Sequence, residues 1–524
     1  MDDRKADRPN FLFIITDQQR ADWIGCYGHP LIKTPHIDAI AARGVRFDNF
    51  HATSPICMPN RATLMTGRYP SVHGLRYNGC SLSHRANTFV DVLRAAGYNT
   101  AAIGKSHLQP FLDRPPILAR PARERLIEES WRSSGEDWGH EEPGRYVTDE
   151  DYVFPTPYYG FEHVDMVTGH GDHCGGHYQQ WVRRHVPDWQ FLQDPVNQLP
   201  HDYICPQAFR TPMPVEAHSS RYVADQTARY LADRQGNDQP FFAFVSFPDP
   251  HHPFTPPGDY WGMYSPEQFE VALPFAAHRN PPPPLSWMKQ HFESGGVGAT
   301  AATSVYASDQ QIREAMALTA GMIALVDDSI GRVMAALEAS GHADNTIVCF
   351  TTDHGDYLGD FNLLFKGALP FRSITRVPFL WSDPRDRAPR SSAAMASTID
   401  IPATILDRVD LEPYNGFQGE SLLPVINSGG DHRQDLYIEY TDIGPRLGFE
   451  TAARVRAVVN ERWRYTYYKN EDWGELYDLE KDPFETHNRW ADPGYRDARF
   501  ELSERLNYHL SCMMDESPAA NRLS

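Results

Sequence analysis

Four short apolar runs in this chain each end abruptly in ionisable residues, and that repeated pattern constrains the fold more than any other feature. Phe11 to Ile15 reads FLFII and is followed by Thr16, Asp17 and Gln18. A strand predicted over Tyr98 to Ile103 leads to Lys105 and His107, and FFAFVSF (Phe241 to Phe247) leads to Asp249, His251 and His252. The fourth run, TIVCFTT, ends at Asp353 and His354. Continuous apolar runs of this kind suit strands buried on both faces of a parallel sheet. Helical stretches alternate with them. One helix is predicted from about Thr88 to a stop at Gly97; a longer one near residues 311–340 places Leu318, Met322, Val326, Ile330, Val333 and Leu337 on one stripe. The fold class is therefore α/β, with a mostly parallel central sheet flanked by helices. Ligand sites in such sheets lie beyond the carboxyl ends of the strands, so the four clusters are expected to share one cleft. Turn formation and helix capping explain one such cluster well and four poorly.

After about residue 410 the texture changes to short alternating segments. DLYIEYT, ARVRAVVN and RWRYTYY put Val455, Ala457 and Val459 on one face and Trp463, Tyr465 and Tyr467 on another, as in a small antiparallel sheet. GELYDLEKDPFETHN reads as its turn-rich close. The expected organisation is a main α/β domain over 1–410, with a loop-rich insertion over 110–215 above the cleft, and a C-terminal subdomain over 411–524. RNPPPPLSW, near 280, reads as a stiff surface loop. The 49 Lys+Arg against 69 Asp+Glu give a net charge of −20, which disfavours nucleic acid and anionic membranes as general partners. Seven cysteines without pairwise pattern argue against a disulfide framework. The chain shows no apolar stretch of signal-peptide or membrane-span length, and the expectation is a soluble, cytoplasmic protein, with its C-terminal tail available for a homo-oligomer contact.

Asp17, Gln18, Asp353 and His354 offer two carboxylates, an amide oxygen and an imidazole. Hard oxygen donors with one nitrogen favour Ca²⁺, Mn²⁺ or Mg²⁺ over a thiolate-preferring zinc site, with Ca²⁺ the expected ion and Mn²⁺ the alternative. Arg61, Lys105 and Lys366 add fixed positive charge, and His107 and His251 add imidazoles. A divalent ion among fixed cations is what a sulfate or phosphoryl-type ester needs, because its non-bridging oxygens must be neutralised before a nucleophile approaches.

The segment SPICMPNRATLMTGRYP, beginning at Ser54, supplies that nucleophile through a resemblance. Its CMPNR has the C-x-P-x-R form, and with ITDQQRADWIGCYG, AAIGKSHL, DPHHPF, TTDHGDYLGDFNLLFKG and LYDLEKDPFETHN, in that order, the chain resembles type I sulfatases of the alkaline phosphatase superfamily over nearly its whole length. The resemblance implies an alkaline-phosphatase-like fold and hydrolysis of small sulfate esters, aryl esters included. It also implies that Cys57 is oxidised by a formylglycine-generating enzyme to formylglycine, whose hydrate carries two hydroxyls on one carbon. One hydroxyl attacks sulfur; deprotonation of the other expels sulfate and restores the aldehyde. By the same resemblance Asp17, Gln18, Cys57, Asp353 and His354 hold the metal and Arg61 orients the diol. Lys105 bridges it to the substrate oxyanion, His107 is the base for sulfate release, and His251, with Lys366, protonates the leaving alcohol. Gln18 and His354 depart from the commoner aspartate and asparagine and resemble the phosphonate monoester hydrolase branch, which gives the alternative of a phosphonate monoester or phosphodiester hydrolase. Lys105 and His107 keep the sulfatase type.

Other residues read more plainly. Asn78, in an Asn-Gly pair, suits a substrate-oxygen donor or simply a turn. GHGDHCGGHY, with His170, His173, Cys174 and His177, reads as a glycine-rich cleft loop rather than a second metal site. His252 is expected to pack or cap, pointing away from His251, and Arg68 to be structural.

Overall fold

A computed structural model describes residues 8–112, 137–149, 152–296 and 304–518. In chain order its strands are β1 (Asn10–Thr16), β2 (Val45–His51), β3 (Asn99–Gly104), β4 (His163–Thr168), β5 (Gly175–Gly176), β6 (Phe241–Ser246), β7 (Val305–Tyr306), β8 (Thr346–Thr352), β9 (Leu363–Leu364), β10 (Phe379–Ser382) and β11 (Arg390–Ser397). They continue with β12 (Leu436–Thr441), β13 (Arg454–Val459), β14 (Trp463–Tyr468) and β15 (Gly474–Asp478). Among the described residues, nine strands form one sheet in the order β11-β2-β10-β8-β1-β6-β3-β4-β5, and β12 to β15 form a separate antiparallel sheet. β1 lies at the centre, parallel to β6 and β8, while β3 is parallel to β6 and β4. The fold class read from the sequence is therefore the one observed.

Every residue of β1, β6 and β8 is buried, because helices cover both faces of the sheet. The pleat sends Phe11, Phe13 and Ile15 into one core and Leu12 and Ile14 into the other. Helix Asp309–Ala339 lays Val326, Ile330, Val333 and Leu337 on that second core and Leu318 and Met322 on a third, so its stripe joins two packing layers. In register, Thr16 faces Thr352, and Ile15 and Gly104 both face Ser246. The four strands finish level with one another, so the residues that follow them share one edge.

Three segments differ from expectation. The 110–215 insertion contributes β4, a parallel strand of the main sheet, which its half-exposed HVD start disguised; residues 113–136 and 150–151 of it lie outside the described residues. GELYD is the fourth strand of the small sheet rather than its turn, its glycine and aspartate marking the two ends. The proline run near 280 opens a helix, Pro283–Glu293, with Pro283 at the first helical position, where its fixed φ fits and its missing N–H has no partner to lose. Arg464 anchors the small sheet: wholly buried, it pairs with Glu475 and Glu485 and lies over the Phe371 and Tyr477 rings.

Candidate active site

Cys57 opens helix Cys57–Thr66. Asn60 accepts the backbone N–H groups of Thr53 and Ser54 at 3.1 and 3.3 Å and donates to the Asp353 carbonyl at 2.5 Å, tying this helix to the end of β8. Asn78 Oδ1 accepts the Met58 N–H at 3.1 Å, satisfying a first-turn donor that the helix cannot. Pro59 occupies the same turn without loss of a bond. Arg61, only 1% exposed, donates Nε to Asp353 Oδ2 at 2.7 Å and Nη1 to the Lys105 carbonyl and Ser246 Oγ at 2.8 and 2.9 Å. Its Nη2 is 3.5 Å from Asp17 Oδ2. One guanidinium thus spans the ends of β1, β3, β6 and β8. Arg68 donates instead to the carbonyls of Asn415 and Gly416, a structural role.

Cys57 Sγ lies 3.0 Å from Lys366 Nζ, 3.1 Å from His354 Nε2 and 3.8 Å from Asp17 Oδ1. His354 Nδ1 is 2.8 Å from the Gly355 carbonyl, to which its N–H donates, so Nε2 is the nitrogen turned toward Cys57. Asp353 Oδ1 accepts the N–H groups of Gln18 and His354 at 3.1 and 2.9 Å. Gln18, at φ 62°, donates Nε2 to Asp356 Oδ2 at 2.5 Å and sets it 3.0 Å from His252 Nδ1, which leaves Oε1 buried with no hydrogen-bond partner. Leaving such an oxygen unpaired costs about 1–3 kcal/mol. Ligand atoms of Asp17, Cys57, Asp353 and His354 all lie within 4.8 Å of one another. Two carboxylates, an imidazole and an orphaned amide oxygen fit a hard divalent cation.

The cationic and imidazole groups form the opposite wall. Lys105 ion-pairs with Asp17 Oδ2, and its Nζ lies 2.6 Å from His170 Nε2. Lys366 Nζ is 2.8 Å from His251 Nε2, while His251 Nδ1–H donates to the His252 carbonyl. The rings stack in series: His170 on His251 at 3.5 Å, His251 on His252 at 4.1 Å, and His252 against Phe365 at 3.9 Å. At the other end His107 stacks on Phe111 at 4.0 Å, and Phe111 meets His170 edge-on at 5.5 Å. Glu141 accepts the His107 N–H at 2.7 Å, and His107 Nδ1 is buried without a hydrogen-bond partner.

These neighbours set the charges. Burial would raise Asp17, but Lys105, His251 and Lys366 hold its carboxyl well below the usual range. Burial and Asp17 push the Cys57 thiol up; Lys366, Lys105 and His354 outweigh them, and it lies below its ordinary value. Burial, then neighbouring cations, hold both His107 and His251 well below an ordinary imidazole. The pocket therefore favours anions and keeps the His107 and His251 rings neutral. Burial and Lys366 would lower His354, but Asp353 and Cys57 outweigh them and raise it above an ordinary imidazole.

The structure brings together Asp17, Gln18, Cys57, Arg61, Lys105, His251, Asp353, His354 and Lys366; His107 joins through the ring wall and Asn78 through the helix start. His252 faces the same way as its neighbour, contrary to the sequence expectation. His173, Cys174 and His177 do not gather with His170: Cys174 Sγ bonds the Gly171 carbonyl, His177 Nδ1 accepts the Met166 N–H, and the His173 side chain is 44% exposed. His170 and Asp356 are site residues that sequence reasoning missed.

The Sulfatase family profile matches residues 9–411, and that of the N-sulphoglucosamine sulphohydrolase C-terminal region matches residues 361–511. The chain is 28% identical to an uncharacterised sulfatase of Escherichia coli (strain K12) across 97% of this chain and 88% of that one. It is 29% identical to a multifunctional alkaline phosphatase superfamily protein of Trinickia caryophylli, across 96% of both. The crystal structure of a phosphonate monoester hydrolase of Agrobacterium radiobacter superposes with a TM-score of 0.76 at 26% identity, covering 99% of this chain and 98% of that one. The chain belongs to the sulfatase family of the alkaline phosphatase superfamily and is a sulfuric ester hydrolase.

Proposed function

We propose that the protein hydrolyses small sulfate monoesters, aryl sulfates among them, using a nucleophile made from Cys57. The observation that carries this reading is the position of Cys57 Sγ, within 3.0–3.8 Å of Lys366, His354 and Asp17 at the meeting point of the metal-capable set and the cationic wall. Maturation of Cys57 to formylglycine would supply a hydrated aldehyde with one hydroxyl to attack sulfur and a second to release sulfate. A divalent cation held by Asp17, Gln18, Asp353, His354 and the Cys57 position would neutralise oxyanion charge and acidify the nucleophile, with calcium favoured and manganese the alternative.

The chain's own residues do the rest. Arg61, locked by Asp353 and the Lys105 carbonyl, fixes the start of the nucleophile helix. Lys105 carries three N–H donors, of which Asp17 and His170 engage two; the third is free to meet a substrate oxygen. Lys366 and His251, 2.8 Å apart, hold one proton between them and deliver it to the departing alkoxide. His107, its Nδ1 unpartnered, takes the proton whose removal releases sulfate. Asn78 assists by keeping the Met58 N–H and the adjoining Cys57 in place. A second reading, phosphonate monoester or phosphodiester hydrolysis, rests on the Gln18 and His354 donors and on the Agrobacterium radiobacter likeness. Kinetics on paired sulfate and phosphonate esters of one phenol separate the two.

When the protein is produced with a formylglycine-generating enzyme, the tryptic peptide carrying Cys57 is expected to have the mass of formylglycine, and the purified protein to hold one divalent metal per chain. Unmodified thiol in fully active protein, or zinc bound through several cysteines, overturns the reading. His251→Ala is expected to slow esters of weakly acidic alcohols far more than aryl esters, because a good leaving group needs little protonation. His107→Ala is expected to release one equivalent of alcohol and then stall with sulfate still held by the protein, whatever the leaving group. Equal losses on all substrates in both variants would mean that the rings only brace the cleft.

A further inference from the structure

We infer that His170 is a positioning residue of the reaction centre that sets Lys105 and His251 in a single geometry, an inference that rests on the oxyanion and leaving-group roles given to those two residues above. His170 follows β4, one strand beyond β3, so it enters the site by the same route as Lys105. Its side chain is 15% exposed and, besides meeting Phe111 edge-on, makes contacts of two kinds with the reacting groups. Through Nε2 it stands 2.6 Å from Lys105 Nζ and 3.8 Å from Asp17 Oδ2. Through its face it stacks on His251 with the ring planes 8° apart.

Each contact limits one motion. The Lys105 ammonium sits between an anion, Asp17, and a neutral acceptor, His170. With Asp17 alone it would be drawn onto the carboxylate; the second acceptor turns its remaining N–H outward. His251 is clamped between the His170 and His252 rings, and its Nδ1–H is tied to the His252 carbonyl. With both faces covered the ring has one position, in which Nε2 meets Lys366. A single imidazole therefore couples the group that grips the oxyanion to the group that protonates the leaving alcohol.

The two contacts can be removed separately. His170→Phe keeps the ring face and loses the acceptor. In that variant KM for an aryl sulfate, and the inhibition constant of inorganic sulfate, are expected to rise about tenfold, the worth of one charge-assisted hydrogen bond, with unchanged dependence on leaving-group acidity. His170→Gln keeps an acceptor and loses the face. Its KM and sulfate constant are expected to stay within about threefold, while alkyl esters slow at least about tenfold more than aryl esters, the signature of a displaced His251. Thermal midpoints near the parent's confirm folding, and His170→Tyr and His170→Asn repeat the two losses if the first pair folds poorly. Uniform losses on every substrate with unchanged KM, or no change in either variant, overturn the inference provided Lys105→Ala weakens sulfate binding and His251→Ala discriminates between leaving groups. Absence of those two parent effects overturns the roles of Lys105 and His251 and the His170 inference with them.

Discussion

Cys57→Ala is expected to lower kcat by at least about ten-thousandfold while leaving the protein folded, because an alanine can form no hydroxyl nucleophile. The thiol is small, and its removal leaves Lys366 still bonded to His251 and His354, so the thermal midpoint should stay close to that of the parent. Cys57→Ser tests the chemistry more finely. A serine offers one hydroxyl where the hydrated aldehyde offers two, so it can accept sulfate once and has no second hydroxyl to expel it. Sustained multiple turnover by the serine variant would overturn the proposed modification.

Asp353→Ala is expected to abolish metal binding and to destabilise the fold together. The Asp353 carboxylate accepts three hydrogen bonds, from Arg61 Nε and from the N–H groups of Gln18 and His354. Its loss leaves a guanidinium with 0% side-chain exposure short of its closest anion. Breaking a buried pair from one side costs about 3–5 kcal/mol. Asp353→Asn retains an acceptor oxygen and should lose metal with a smaller fall in stability. Elemental analysis measures the first effect and a denaturant midpoint the second. Full metal content in the asparagine variant would show that the cation is held elsewhere.

Much of this site is legible in the sequence because one rule places it. Asp17, Lys105, His251 and Asp353 each follow a run whose burial on both faces is written in its composition, and parallel strands that end level must deliver them to one edge. The same rule misses His170 because β4 begins with exposed His163 and half-buried Val164 and Asp165, so its apolar run is too short to read as a strand. MVT followed by GH is nonetheless the same pattern in miniature. The contacts of Asp356 and His252 with Gln18 are not legible for another reason: they depend on the turn of Gln18 at positive φ, which sends its amide nitrogen to both and frees its oxygen. The helix behind the proline run and the strand in GELYD show residues that usually end elements standing at their first or last positions.

The burial of Cys57 also fixes when it can be altered. In the finished protein Cys57 and Arg61 are each 1% exposed, closed over by the segment after β8, whose Asp353 grips Arg61. A modifying enzyme, far bulkier than a small ester, would reach the thiol more readily before that strand docks. β8 pairs with β1 across 336 positions of sequence, so the ribosome has long passed Cys57 before the covering strand exists. At ordinary rates of synthesis that interval is on the order of tens of seconds. On the maturation proposed above, competence would be decided before β8 docks: a chain that folded with Cys57 still a thiol would be complete in shape and would lack its nucleophile.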